Sequence, residues 1–341
     1  MNVNILFGLL LIATGAFTSG SFSVPLLKVK GWKWENSWLA FSLFAYLIVP
    51  LLLCLIFSPG FMKVYGSVST DKLLFILFLG FIYGIANVTF GLSLRYLGLS
   101  LGYALSLGLM MAIGTLVPPI LDGKFSELFQ SKNGNLLIAG VVVSLIGIAI
   151  SAHAGIQRDK TKEKEAGSEF NLPKGLLYAL IVGIFGAALS LAIAEGKPLA
   201  DQAVANGTNP LFQDSPVFLL IFSGSFVSTF IWCMVMAKRN KSIISFVKTE
   251  NKTLSTNYFF AGLAGFLWFI NFFFFGMGKN RMGDITYTAW GILMTLTIVC
   301  ATLWGIYRGE WKGVSKKIYS EMWVGLLILI AAAFMIGISG S

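Results

Sequence analysis

The stretch GFIYGIANVTFGLSLRYLGLSLGYALSLG at 80–108 has an echo at 265–293, GFLWFINFFFFGMGKNRMGDITYTAWGIL. An offset of 185 positions lays Gly80 on Gly265, Phe81 on Phe266, Ile85 on Ile270, Phe90 on Phe275, Gly91 on Gly276, Gly98 on Gly283 and Ala104 on Ala289. The polar breaks follow the same offset: Asn87 and Asn271 fall one register apart, and the turn from Arg95 to Gly98 faces Asn280 to Gly283. A repeat of about half the chain states an architecture before any motif does. Each copy holds two apolar runs joined by a very short polar turn, the pattern of a helical hairpin that crosses a membrane.

Composition agrees. The chain is 56% hydrophobic and only 12% charged, with a mean hydropathy of +0.80, whereas a soluble domain carries about twice that charge. Apolar runs of about 20 residues recur along its length, enough to cross a hydrocarbon core of about 30 Å. Barrel strands are shorter and alternate. The expected fold is therefore an all-α polytopic membrane protein, whose helices satisfy their own backbone polar groups in lipid.

Spans are expected at 4–24, 37–57, 72–94, 100–121, 135–153, 175–194, 215–237, 255–277, 284–306 and 322–339. The first has no Lys or Arg before it and Lys28, Lys30 and Lys33 after it, so it reads as a retained helix and not as a cleaved signal. The most charged stretch, at 157–174, divides the chain into a first five-helix repeat at 1–156 and a second at 175–341. The connection from Glu195 to Asp214, with Pro198 and Pro210, reads as the longest loop on the outer side.

Charge sets the orientation. Of 25 Lys and Arg residues, 18 fall in loops after odd-numbered spans and 7 in loops after even-numbered ones. The positive-inside rule then puts the odd-numbered loops in the cytoplasm and both termini outside. Five spans per half make the halves inverted repeats, a transporter design with the substrate site near the midplane. The net charge of +10 is explained by these loops, and nucleic acid is not an expected partner. The expected partners are the lipid bilayer and a small substrate.

Enzyme chemistry finds no support. There is a single histidine, His153, at the end of the fifth span, no CxxC, HExxH or P-loop pattern, and no carboxylate pair at helical spacing within a span. His153 reads as an interfacial residue. Cys54, Cys233 and Cys300 all lie in apolar spans and read as packing residues.

Polar residues inside the spans carry the functional expectation. Asn87 lies about 6 Å from the midplane at 1.5 Å per residue. It reads either as a substrate-binding amide or as interhelical glue, and a buried amide needs a partner in both cases. Asn271 takes the matching place, with Trp268 three residues earlier on the same helix face. An aromatic platform beside amide donors and acceptors suits a neutral polyol, whose ring has apolar C–H faces and hydroxyl edges. Trp290 and Tyr287 offer a similar face on the ninth span, with packing or an interfacial belt as the plainer reading. Among ionisable residues near span ends, Asp122 and Asp284 are the candidates for proton coupling, and Glu35 reads as a helix N-terminal carboxylate.

Several blocks together resemble a known family. KVKGWKWE (28–35), the run from Asn87 through GLSLRYLGLSLG (87–102), GTLVPPILDGKF (114–125), EFNLPKGL (169–176) and LWFINFFF (267–274) are similar to the bacterial L-rhamnose–proton symporter family of the drug/metabolite transporter superfamily. The resemblance runs from Val24 to about Trp304. It implies ten spans in two inverted five-helix halves, no cofactor beyond the coupling proton, and uptake of L-rhamnose across the inner membrane. The chain departs from the family pattern in a turn one residue shorter at 279–284, in Asn271 where Gln is common, and in His153. The alternatives are a carrier of another sugar, nucleoside or small metabolite, working inward or outward, a lipid-acting membrane enzyme, and a passive channel.

Overall fold

The computed structural model describes residues 3–121, 123, 125–162, 171–248, 253–282 and 289–338. The described residues are helical with no strand. The longer helices among the described residues are α1 (Val3–Ser21), α2 (Trp34–Phe57), α3 (Thr70–Leu121), α4 (Lys132–Lys162), α5 (Leu172–Glu195), α6 (Lys197–Ala205), α7 (Ser215–Arg239), α8 (Leu254–Lys279), α9 (Ala289–Tyr307) and α10 (Lys316–Ile338). Nine described helical segments are long and apolar enough to cross a membrane, and Leu101–Met111 is a shorter apolar one. Leu10, Phe17, Ile56, Phe78, Phe230 and Phe334 are exposed, an outward apolar surface that water does not favour and lipid accepts.

The 52 residues of α3 are broken at Gly98, with φ 75° and ψ 178°. Beyond it the chain runs back on itself. Ser93 Oγ lies 2.8 Å from Ser106 Oγ, and the Phe90 and Tyr103 rings meet edge to face at 5.2 Å. The short turn expected between 94 and 100 is thus one residue in a conformation essentially reserved for glycine. Gly98→Ala should cost about 1–3 kcal/mol and lower the thermal unfolding midpoint in detergent. An unchanged midpoint would contradict this account of the turn.

Within α2 one turn widens to a π-helix over Phe44–Ile48. Pro50 explains it: with no N–H to give the carbonyl of Tyr46, the chain takes a wider turn and avoids the clash with the proline ring. Gly265 of α8 packs against this bulge, where an added Cβ would lie 2.8 Å from Phe41 O.

Two stretches read as loops are helical. The connection from Glu195 to Asp214 contains α6 and a 3₁₀ turn at Pro210–Phe212, because Pro198 and Pro210 each sit in a first helical turn, where a missing N–H costs nothing. The other is the start of the 157–174 linker, which continues α4 to Lys162. Arg158 holds that extension. It is buried, pairs with Glu310 at 2.9 Å and lies 5.1 Å over the Trp311 ring.

Helix pairing places the centre. α1 packs on α8 and α9, α5 on α3, α7 on α3, and α10 on α4. Fully buried aromatic side chains of α2, α3, α7 and α8, together with Phe22 just beyond α1, fill the middle, among them Tyr46, Tyr103, Phe218, Phe222 and Phe269.

Candidate functional site

A small cavity of about 30 Å³ lies where α1, α3, α5, α8 and α9 converge, room for about one water molecule and below the usual range of about 300–1,000 Å³ for small-ligand pockets. Tyr83, Ala86, Asn87 and Phe90 line it from the first arm of α3, and Tyr103, Leu107 and Met110 from the second. Trp268, Asn271 and Phe272 face them from α8, and Ser19, Phe22, Val182 and Met294 complete the wall. None of these lining residues is a carboxylate, lysine, arginine or histidine.

Its polar lining comes from Ser19, Tyr83, Asn87, Tyr103 and Asn271. Asn87 is buried; its Nδ2 donates to the Tyr83 carbonyl of its own helix at 3.4 Å, and its side chain also hydrogen-bonds the Tyr83 hydroxyl. Asn271 is 1% exposed; its Nδ2 donates to the Trp268 carbonyl, and its Oδ1 has no hydrogen-bond partner. Leaving a buried acceptor unmatched costs about 1–3 kcal/mol. A site that meets this cost without ligand regains it when a hydroxyl or N–H arrives. Tyr103 is already committed, its hydroxyl donating to Ser19 O at 3.1 Å.

Aromatic packing fixes the other wall. Trp268 is held by Tyr46 at 5.0 Å, Phe222 at 5.1 Å and Phe272 at 4.8 Å between ring centroids. Fixed in this cluster, the indole forms a rigid apolar surface beside the unmatched amide oxygen.

Asn87, Trp268 and Asn271 therefore meet on one cavity. Trp290, also expected there, is not among its lining residues. Its ring packs edge to face on Phe275 at 5.7 Å, because helical phase turns its side chain to the α8 contact instead of the cavity. Tyr287, Asp122 and Asp284 lie outside the described residues. The sequence reading missed Tyr83 and Tyr103. Tyr83 stands one turn before Asn87 on the same face, a signal present in the sequence. Tyr103 reaches the cavity only because Gly98 folds the second arm back.

Among the described residues, His153, Glu195 and Glu35 at span ends have partners. His153 Nδ1 lies 3.2 Å from Glu321 Oε2, and Lys72 pairs with Glu195. Glu35 sits in the first turn of α2, as expected, but it is buried and bound across the molecule: its Oε1 accepts from Asn240 Nδ2 at 2.9 Å and Ser242 Oγ at 2.7 Å.

With this geometry in view, comparison with known proteins is specific. Residues 1–341 match the family described as L-rhamnose-proton symport protein. L-rhamnose-proton symporters of Yersinia pestis (strain Pestoides F) and Yersinia pseudotuberculosis serotype O:3 (strain YPIII) are 34% identical over 341 residues, covering 99% of this chain and 99% of each relative.

Proposed function

We propose, from the premise that the chain belongs to the L-rhamnose-proton symport protein family, that it is a secondary transporter importing L-rhamnose or a close deoxysugar with protons by alternating access. The observation that carries this reading is the uncharged central cavity, with the unmatched Asn271 Oδ1 beside the Trp268 surface. A deoxyhexose offers hydroxyls to the amides of Asn87 and Asn271, and a methyl group and C–H faces to Trp268 and Phe272. As a membrane carrier it is not an enzyme.

Our reading of the architecture is ten spans in two inverted halves, with the second arm of α3 as the fourth span. Crossings at repeat-related glycines support it. Gly80 meets α7, where a Cβ would lie 2.1 Å from Ile221 O, and Gly265 meets α2, 2.8 Å from Phe41 O. Gly91 meets the Trp38 ring at 2.6 Å, and Gly276 meets the Phe218 ring at 3.3 Å. The helices exchange roles as a pseudo-twofold relation requires. With odd-numbered loops cytoplasmic, both termini lie outside the inner membrane. Asp122 or Asp284 takes the proton, and sugar binding permits the switch.

Purified protein in vesicles should accumulate radiolabelled L-rhamnose under an inward proton gradient, with saturation, and lose accumulation on addition of a protonophore. Asp122→Asn or Asp284→Asn should abolish accumulation while leaving sugar exchange. Unsaturable flux or no interaction with L-rhamnose would overturn the reading.

A further inference from the structure

The connection between α9 and α10 is a fixed loop. Gly309 takes φ 78°; its N–H donates to Ile306 O at 3.0 Å and the Glu310 N–H donates to Gly305 O at 2.9 Å, the glycine stop that closes a helix C-terminus. Gly313 also takes φ 78°. Between the two glycines, Trp311 packs with Ala154 of α4 and Met322 of α10, with the Arg158 guanidinium over its ring. The chain beside this anchor carries Lys312, and Lys316 opens α10.

A cavity of about 320 Å³ lies against this loop, lined by Ile306, Trp311, Lys312, Val314, Lys316 and Tyr319. That volume falls within the usual range of about 300–1,000 Å³ for small-ligand pockets. Lys312 and Lys316 are exposed, and among the described residues their ammonium groups have no ion-pair or hydrogen-bond partner. The acids of the same segment are already taken, Glu310 by Arg158 and Glu321 by His153, so the two positive charges stand unneutralised. Trp311 is only 6% exposed, and its Nε1 has no hydrogen-bond partner. A buried donor left unmatched carries a desolvation cost that an arriving acceptor removes.

The rest of the lining is apolar, and it continues onto the outer surface of the spans. The Tyr319 ring meets the Trp323 ring edge to face at 6.3 Å. Trp323, Val324 and Leu327 are exposed on α10, as are Leu303 and Tyr307 on α9. The cavity thus joins two cations and an unmatched N–H to a surface that lipid chains accept.

We propose that this cavity binds the headgroup of an anionic phospholipid. The phosphate accepts from the Trp311 N–H and from the Lys312 and Lys316 ammonium groups, and the acyl chains lie along the exposed faces of α9 and α10. Hydrogen bonds between charged groups are the stronger kind, basic residues at a span end attract anionic lipids, and an indole at that depth offers an apolar body with a polar tip. A free phosphate has the same acceptor oxygens but gains nothing from Ile306, Val314 and Tyr319. The headgroup of a zwitterionic lipid brings a cation that the two lysines repel. The site shares no lining residue with the central cavity and goes beyond the transport reading.

Native mass spectrometry of the purified full chain in detergent, titrated with phosphatidylglycerol, tests this. Phosphatidylglycerol should stay bound at a concentration where phosphatidylcholine does not, and should raise the thermal unfolding midpoint. Lys312→Gln together with Lys316→Gln should weaken that binding about tenfold or more. Lys238→Gln together with Lys248→Gln removes the same charge from another loop and should change it less than about twofold. All four lysines are exposed, so both double variants should fold as the parent does. Trp311→Phe keeps a ring beneath Arg158 and deletes the N–H; it should weaken binding about threefold or more and leave the lipid-free midpoint unchanged or raised. Inorganic phosphate and glycerol 3-phosphate at the same concentration should neither displace the lipid nor raise the midpoint. Equal retention of phosphatidylcholine, equal losses in the two lysine pairs, or Trp311→Phe binding as well as the parent overturns the site. Protection by inorganic phosphate alone overturns the lipid as its occupant. No sugar enters these measurements, so a failure of the transport reading leaves them decisive.

Discussion

Asn271→Leu is expected to weaken L-rhamnose binding about tenfold or more while leaving the ligand-free protein at least as stable as the parent. The two effects have opposite signs for one reason. Without ligand, Asn271 Oδ1 is buried and unmatched, so an apolar residue of similar size removes a desolvation cost of about 1–3 kcal/mol. With ligand, the same substitution leaves a sugar hydroxyl facing hydrocarbon, and losing one such bond amounts to about 1.4 kcal/mol, or tenfold. Calorimetric titration and thermal unfolding on the same preparation separate the effects. Affinity and stability falling together would mean that Asn271 is interhelical glue. Asn87→Leu added to it should remove measurable binding, since Asn87 is the remaining amide on the cavity.

Gly80→Leu and Gly224→Leu are expected to abolish folded, monodisperse protein. A Cβ at Gly80 would lie 2.1 Å from Ile221 O, and one at Gly224 would lie 2.1 Å from Leu77 O. Both obstacles are backbone carbonyls, which cannot rotate away as a side-chain tip can. The crossing is also bonded: Ser225 Oγ donates to Gly80 O at 2.8 Å. Helices in lipid gain little from the hydrophobic effect and associate through such close contact and hydrogen bonding. Even Gly80→Ala should destabilise by about 1–3 kcal/mol, although alanine favours a helix interior by up to about 1 kcal/mol over glycine. Gly66→Ala is the control, since nothing lies within 4 Å of a Cβ there, and it should be neutral or mildly stabilising. Size-exclusion profiles in detergent read all of these. A well-behaved Gly80→Leu protein would show that the α3–α7 crossing is looser than described.

Helix existence and placement were legible because they depend on local quantities. Run length against bilayer thickness located the spans, and their apolar composition marked them as membrane-crossing. The offset of 185 that lays Gly80 on Gly265 and Gly91 on Gly276 was visible in the sequence. Asn87, Trp268 and Asn271 were legible as a candidate site because polar and indole groups deep in apolar runs are expensive without a role. Less local features were hidden. Pro198 and Pro210 read as loop formers, yet each begins a helical turn, because what matters is whether the missing N–H falls in a first turn. The sequence presented Trp290 and Trp268 alike. One packs against Phe275 and the other borders the cavity, a difference set by rotation about the helix axis.

By itself, then, the chain order determined a helical, membrane-spanning protein and placed amides deep in its apolar runs, since period, length and burial cost act within one segment. Tertiary structure alone decided that five helices leave a cavity around Asn271 with its oxygen unmatched, that Tyr103 returns to that cavity past Gly98, and that Glu35 is held by Asn240 and Ser242, more than 200 residues away. Those outcomes depend on which faces meet across the bundle, and such pairings are set by close packing between segments that no local pattern encodes.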